Sequence, residues 1–332
     1  MAKYAEAPPA LVVSLDFELH WGVSERVTGA DHPYAAHLRG ARDVIPRLLE
    51  RFRERGIHAT WATVGALFAD GRTDLGSFMP AVRPEYERTA VDNYRLGLGA
   101  SEAEDPLHFA PTLVKKIRET KGQELASHTF SHYFCDEPGQ SRKAFSADLA
   151  AAQAIAEREG EALRSLVFPR NQVVDEYLSA LTENGIEIYR GNPPGGLYEP
   201  VHHPARRAAM RAARLTDGFL NLTGHHTFGW DRITAEYPWN VQASRFLRPY
   251  SRKLRYLEPL RRRRVKAGIR AAAKRNEVFH LWWHPHNFGA NQEKNLEALD
   301  DILDTFERLR ESEGMRSFSM SEAADFARTL KR

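Results

Sequence analysis

The sequence predicts an α/β barrel of mainly parallel strands, on three observations. Short apolar runs rich in β-forming residues alternate with longer helical patterns along the chain. Asp16, Glu18, His128, Arg170, Arg190 and His284 fall at or just past the C-terminal ends of separate runs, where a βα barrel builds its site. An open doubly wound sheet would instead concentrate its site at one switch point beside a Gly-rich phosphate loop, and no such loop appears. At 332 residues the chain suits one barrel, read here as a single domain spanning 1–332.

The strand candidates are, in order, "ALVVSLDFE", "HATWATV", "QELASHT", "SLVFPR", "IEIYRG", "FLNLT" and "VFHLWWH". Between them lie amphipathic patterns over 41–56, 142–160 and 291–314, closed by Gly56, Gly160 and Gly314. Glycine just past a helical pattern stops it because it takes the left-handed conformation cheaply. Residues 69–110 lack clear periodicity, and so long an interruption predicts a functional loop or lid near the barrel mouth.

Composition narrows the chemistry. With 42% hydrophobic and 27% charged residues the chain reads as a soluble globular protein able to bury a full core. Its one cysteine, Cys135, excludes an intramolecular disulfide framework and a Cys-x-x-Cys zinc or redox centre, so any metal must rest on His and carboxylate ligands. The apolar run ending at Asp16 is too brief for a signal peptide, and no stretch is long enough to span a bilayer. A cytoplasmic protein is the expectation. Residues 245–275 hold thirteen Lys or Arg against one acid, Glu258. That basic amphipathic segment reads either as a barrel helix with a solvated face or as a surface meeting anionic lipid at the inner face of the membrane. No binding motif for nucleic acid accompanies it.

Asp16 and Glu18 stand two apart at the end of an apolar run, so a strand sends both side chains to one face. Arbitrary D-x-E pairs are usually solvated loop acids, but buried carboxylates need a partner or a metal. "SHTFSHYF" supplies His128 and His132 at a spacing that one helical turn places side by side. Two histidines and one carboxylate leave an open coordination position, as catalytic zinc requires. "VFHLWWHPHNFG" carries His280, His284 and His286; they are either packing histidines or, beside indole rings at a barrel mouth, proton donors. Arg170 in "LVFPRNQ" is either a surface ion-pair partner or the guanidinium that keeps a carboxylate base ionised.

In this order, "SLDFE", "HTFSH", "FPRNQ" and "LWWH" resemble the successive motifs of the polysaccharide deacetylases, the NodB-homology or carbohydrate esterase 4-like group, over roughly residues 10 to 290. The resemblance implies a distorted (β/α)7-type barrel and a metal-dependent hydrolase that removes an N-acetyl or N-formyl group from an amino sugar. It assigns Asp16 as general base, Glu18, His128 and His132 as ligands of a divalent ion, most simply Zn2+, Arg170 as tether of the base and His284 as general acid. It gives the backbone N–H of Tyr133 a place in holding the oxyanion. The family's first motif has adjacent aspartates, whereas Phe17 here separates an Asp from a Glu, so the base and ligand roles are open to exchange. The third motif, with Pro169 ahead of Arg170, is atypical, and Arg190 in "YRGNPP" stands where a fourth would fall.

Trp21, Tyr133, Arg190 and Trp283 are the candidate substrate contacts, the aromatics equally able to serve the core. The expected substrate is a saccharide intermediate, lipid-linked in one version, of cell-surface polysaccharide assembly. A small-molecule amide hydrolase of the allantoinase-like kind and a non-catalytic saccharide-binding protein are the competing readings.

Overall fold

A computed structural model describes residues 6–27, 32–197 and 204–331, with side chains from 209 onward in the last stretch. Among the described residues nine strands form one sheet: β1 Ala10–Phe17, β2 Ala59–Thr63, β3 Gln123–Ser127, β4 Ser165–Leu166, β5 Ile188–Tyr189, β6 Trp239–Asn240, β7 Arg245–Phe246, β8 Val278–Trp283 and β9 Arg316–Phe318. Their order is β6-β5-β4-β3-β2-β1-β8-β7, with β9 added beside the first half of β1, and every ladder is parallel. The sheet curls so that β6 and β7 approach across the gap. Both belong to one extended segment, 239–246, which starts on β5 and ends on β8. Between them Val241 and Ala243 donate to the carbonyls of Tyr189 and Gly191, and Ser244 donates to His280. Taken as one stave, this segment completes a seven-staved wall with β1 to β5 and β8.

Alternation along β1 explains how the wall is built. Leu11, Val13, Leu15 and Phe17 face outward into a cluster with Val44, Ile45 and Leu48 of the helix Ala35–Arg55 and Leu299, Ile302 and Phe306 of the helix Gln292–Glu313. Ala10 and Val12 face inward, packing with Ala62, Val167 and Ile188 and with Met320, Ala323, Ala324 and Ala327 of the helix Met320–Lys331. The inward row therefore begins apolar over that helix and turns polar at Ser14 and Asp16 as the strand climbs. Each fully buried large apolar side chain in these clusters contributes about 1.5–3 kcal/mol. Gly56 and Gly314 end their helices in the left-handed region, at φ 60° and 66°.

Two expectations are corrected and a third is made specific. "FLNLT" is not a strand: residues 219–223 are turn and irregular backbone, and Leu220 and Leu222 are exposed. Instead the 239–246 stave fills that place; its two-residue ladders are too short to leave a periodic signal. The 69–110 segment is an irregular insertion, as expected, and it is packed against the loops beside Trp21 and Ser131. Its Asn93 is buried and donates to the carbonyls of Trp21 and Ser131, and its Tyr94 hydroxyl donates to Asp148. Finally, the basic stretch is not one solvated face. Arg245 pairs with Asp217 at 2.6 Å, Arg261 with Glu258 at 2.6 Å and Arg264 with Asp217 at 3.5 Å, all buried.

Candidate metal and catalytic site

Asp16 sits at the top of the inward row of β1, almost wholly buried. Arg190, one residue past β5 and fully buried, grips it with two parallel bonds, Nη1 to Oδ1 at 2.7 Å and Nη2 to Oδ2 at 2.8 Å. The same guanidinium donates to Ser14 Oγ at 2.9 Å and Asn171 Oδ1 at 3.0 Å and lies over the Trp282 ring, 4.2 Å from its centroid. His280 Nε2 meets Ser14 Oγ at 2.7 Å. Burial drives the Asp16 carboxyl upward, but the charge of Arg190, helped by His284, outweighs it and holds the group below its ordinary value. Asp16 is a carboxylate that stays ionised.

Glu18, one residue beyond β1, points Oε2 at His132 Nε2, 3.1 Å away, and at His128 Nε2, 3.3 Å away. The two histidines do not share a helical turn as predicted. They flank a loop after β3 in which Thr129 and His132 take positive φ, 63° and 60°, and this doubles the chain back so that both rings face Glu18. Buried Asp148 clamps the loop, accepting from the N–H of Phe130 and from the N–H and hydroxyl of Ser131. Strained non-glycine backbone of this kind persists only where the surroundings over-determine it.

The donor chemistry of this trio fits a cation. His128 Nδ1 lies 2.8 Å from the Val167 carbonyl, which takes the ring's N–H and leaves Nε2 a lone pair. That lone pair faces a carboxylate oxygen, and two acceptors facing each other need a positive charge between them. Burial holds His132 below its ordinary pKa, favouring the neutral, ligating form. Ligand atoms of Glu18, His128 and His132 all lie within 4.8 Å of one another, the one such group among the described residues.

His284 follows β8, the strand beside β1, and reaches both acids. Its Nε2 is 3.6 Å from Asp16 Oδ2 and 3.8 Å from Glu18 Oε1, and its Nδ1 is 3.2 Å from the Asn287 side chain. Buried His286 stacks on it, places Nδ1 3.7 Å from Glu18 Oε1, and is pushed down to about 3, by burial first and then by the charge of His284. A close glycine contact seats this loop: a Cβ on Gly40 would lie 2.0 Å from the Gly289 carbonyl oxygen.

The structure reassigns several predicted residues. Arg170 does not reach Asp16. It pairs with Glu25 and Glu137 and lies over the Phe134 ring, because φ at Arg170 and Asn171, 55° and 54°, turns it outward while Asn171 takes the inward place. Arg190, expected at the substrate, holds Asp16 instead. Trp21, Tyr133 and Trp283 are buried among core side chains and offer no face to a sugar. Their neighbour Trp282 points inward. The Tyr133 N–H already donates to Thr129 Oγ1 at 2.7 Å, so it is not an oxyanion donor. Ser14, Asn171 and Asp148 were not singled out from the sequence; the inward register of Ser14 two residues before Asp16 was the one available signal.

Fold and site together define a parallel (β/α) barrel with a carboxylate, a histidine and a trio able to hold a metal at its mouth. The sequence model of the polysaccharide deacetylase family matches residues 31–189. The match contains His128, His132 and Arg170; Asp16, Glu18, Arg190 and His284 lie outside it. None of the curated proteins compared matches the chain. Among solved structures, the fold is shared with a provisionally assigned polysaccharide deacetylase from Mycobacterium smegmatis, at TM-score 0.56 and 13% identity over 98% of this chain and 93% of that one. It is also shared with the 4-alpha-glucanotransferase from Thermococcus litoralis, at 0.53 and 12% over 96% of this chain and 40% of that enzyme. Puue allantoinase matches at 0.52 and 11% over 95% and 88%. The scaffold thus carries proteins named for different reactions, and the reaction must be argued from the site.

Proposed function

We propose that the protein is a metal-dependent N-deacylase acting on an acylated amino sugar. The observation that carries this reading is the placement of an arginine-held carboxylate, Asp16, and a histidine, His284, 3.6 Å apart beside the Glu18, His128 and His132 trio. The match of residues 31–189 to the polysaccharide deacetylase family model supports it.

A divalent ion held by Glu18, His128 and His132, zinc by the character of the donors, would polarise the acyl carbonyl and acidify a water beside it. Asp16 accepts the proton of the attacking water, since Arg190 keeps it ionised and fixes both oxygens. His284 gives a proton to the departing amine nitrogen, without which the C–N bond resists cleavage. Asn287 holds the opposite edge of its ring. The acyl group leaves as carboxylate and the sugar as amine. We assign the base role to Asp16 and the ligand role to Glu18 because Arg190 takes both Asp16 oxygens while Glu18 Oε2 faces Nε2 of both histidines.

With the predicted aromatic faces buried, the substrate side is polar. Glu25, Arg26, Arg88, Glu137, Arg170 and Gln172 line a cleft near the histidine loop, which suits a ring bearing hydroxyls. A saccharide intermediate of cell-surface polysaccharide assembly is the substrate we infer. The test is a screen for released acetate or formate from N-acylated sugars, nucleotide-linked and lipid-linked, with the zinc-loaded protein and its Asp16→Asn variant. Release that Asp16→Asn abolishes supports the reading; release from cyclic ureides alone, or from nothing, overturns it.

A further inference from the structure

The surface beside the site holds a feature that the proposed reaction does not use. Strand β7 runs parallel to β8, with Phe246 opposite Trp282, so the chain leaving β7 emerges at the barrel end that bears His284. The Phe246 ring lies 4.7 Å from Trp282 and 5.9 Å from His284. From there the loop is fastened to the rim: Tyr250 N–H donates to Asn295 Oδ1 at 2.6 Å and Arg252 Nε to Asn291 Oδ1 at 3.3 Å. A 3-10 turn, Arg252–Leu257, then leads into the helix Glu258–Arg275, which descends along the outside of the barrel to β8.

Segment 252–263 therefore stands on the rim, and its exposed side chains are of two kinds only. Tyr256, Leu257 and Leu260 are apolar and 78%, 37% and 36% exposed. Arg252, Lys253, Arg255 and Arg263 are exposed cations with no carboxylate in ion-pair range among the described residues. The segment's one acid, Glu258, is buried against Arg261, and Asp301 is taken by Lys266 and Arg262. The charges that remain are thus uncompensated, while Arg261 and Arg264, the densest part of the run in sequence, point into the protein.

We propose that the 252–263 rim is a docking surface for an anionic lipid bilayer. Exposed leucines and a tyrosine among unpaired cations match both layers of such a surface. The cations meet headgroup phosphates, and the apolar side chains enter the boundary beneath, where tyrosine is at home. A polyanion without an apolar layer, such as nucleic acid, would use the charges and leave the leucines in water. Docked this way, the mouth bearing His284 lies next to the bilayer; that a lipid-borne sugar is thereby delivered to it rests on the deacylase reading.

The docking itself is tested without substrate or metal, so its failure is distinguishable from failure of that reading. The full chain is sedimented with vesicles of phosphatidylcholine alone and of phosphatidylcholine with about one-third phosphatidylglycerol, at low and high salt. Pelleting with the anionic vesicles, lost at high salt, is expected. At about fivefold per cation removed, Lys253→Gln, Arg255→Gln and Arg263→Gln together lower partitioning on the order of a hundredfold. Tyr256→Ser with Leu260→Ser lowers it without changing its salt dependence. These positions are exposed, and an unchanged melting temperature confirms folding. Absence of pelleting, equal pelleting with neutral vesicles, or partitioning that survives the triple substitution overturns the proposal.

Discussion

Arg190 and Asp16, 174 positions apart in the chain, meet as a two-pronged ion pair with contacts of 2.7 and 2.8 Å, both side chains cut off from solvent. The pair fixes the position and charge of the proposed base in one contact. It also exposes the protein to the cost of breaking it, because removing one partner of a buried ion pair leaves an uncompensated charge. Arg190→Met is expected to destabilise the fold by about 3–5 kcal/mol and to abolish deacylation. Asp16→Asn keeps hydrogen-bonding shape and lowers kcat by about 10²–10⁴-fold. Arg170→Met, by contrast, leaves kcat within a few-fold of the parent while raising KM, since Arg170 lines the cleft and does not touch Asp16. Steady-state kinetics with chemical denaturation of the three variants checks this; equal kcat losses at Arg170 and Arg190 would contradict it.

Metal content separates ligands from the base. His128→Ala and His132→Ala are expected to lose tightly bound divalent ion in elemental analysis, whereas Asp16→Asn retains it. Asp148→Asn leaves all three ligands in place but loosens the loop that presents the histidines, so it weakens affinity by about 10–100-fold, in the range for partners that orient ligands. Titration calorimetry with Zn2+ measures the difference.

A pH-dependent contribution to stability lies far from the site, at the base of the barrel. His58 Nδ1 meets Glu322 Oε2 at 2.8 Å. The hydrogen bond it donates to Glu322 raises the histidine above its ordinary 6.5, against partial burial. Burial pushes Glu322 up, but the bond from His58 and the N–H of Ser319 outweigh it and hold the acid below 4.5. A histidine raised on folding stabilises fully below its unfolded pKa and loses the effect as pH rises through its folded one. A depressed acid stabilises above its unfolded pKa and loses the effect as pH falls through its folded one. The pair is therefore worth most between pH 4.5 and 6.5. His58→Ala should cost up to about 1 kcal/mol there, the pair being partly solvated, and less at pH 9. Denaturant midpoints at the two pH values decide it.

Gly40 is expected to be intolerant of even one methyl group. Gly40→Ala would push the Gly289 carbonyl and shift the loop that holds His284 and His286, lowering kcat with little change in metal affinity, because Glu18, His128 and His132 lie on other elements. Metal titration alongside kinetics tests the separation.

Much of the fold was legible because apolar alternation and helix-ending glycines are local signals. β1, β2, β3 and β8 and the helices Arg142–Arg158 and Gln292–Glu313 stand where the patterns put them, within two residues at their ends, while the helix Ala35–Arg55 begins six residues ahead of its pattern. Stave 239–246 was not legible, since two-residue ladders leave no period, and "FLNLT" was misread because its leucines are exposed rather than packed. At the site, Asp16, Glu18, His128, His132 and His284 could be singled out because charged and ligating residues at strand ends stand against an apolar background. Which guanidinium reaches Asp16 could not. Arg170 and Arg190 both follow short inner strands, and only the positive φ values at Arg170 and Asn171 send one outward. Nor does sequence tell an indole in the wall from one at the mouth: Trp282 and Trp283 are adjacent and face opposite sides of β8.

The extended segment 239–246 gives the barrel a property unrelated to its chemistry. A sheet that stopped at β6 on one side and β7 on the other would present two rows of unmatched amides, each a template for a strand from a second molecule. Because one continuous length of chain serves both borders, those rows are turned toward each other across the seam. The wall is left with little open border on which aggregation between copies could begin.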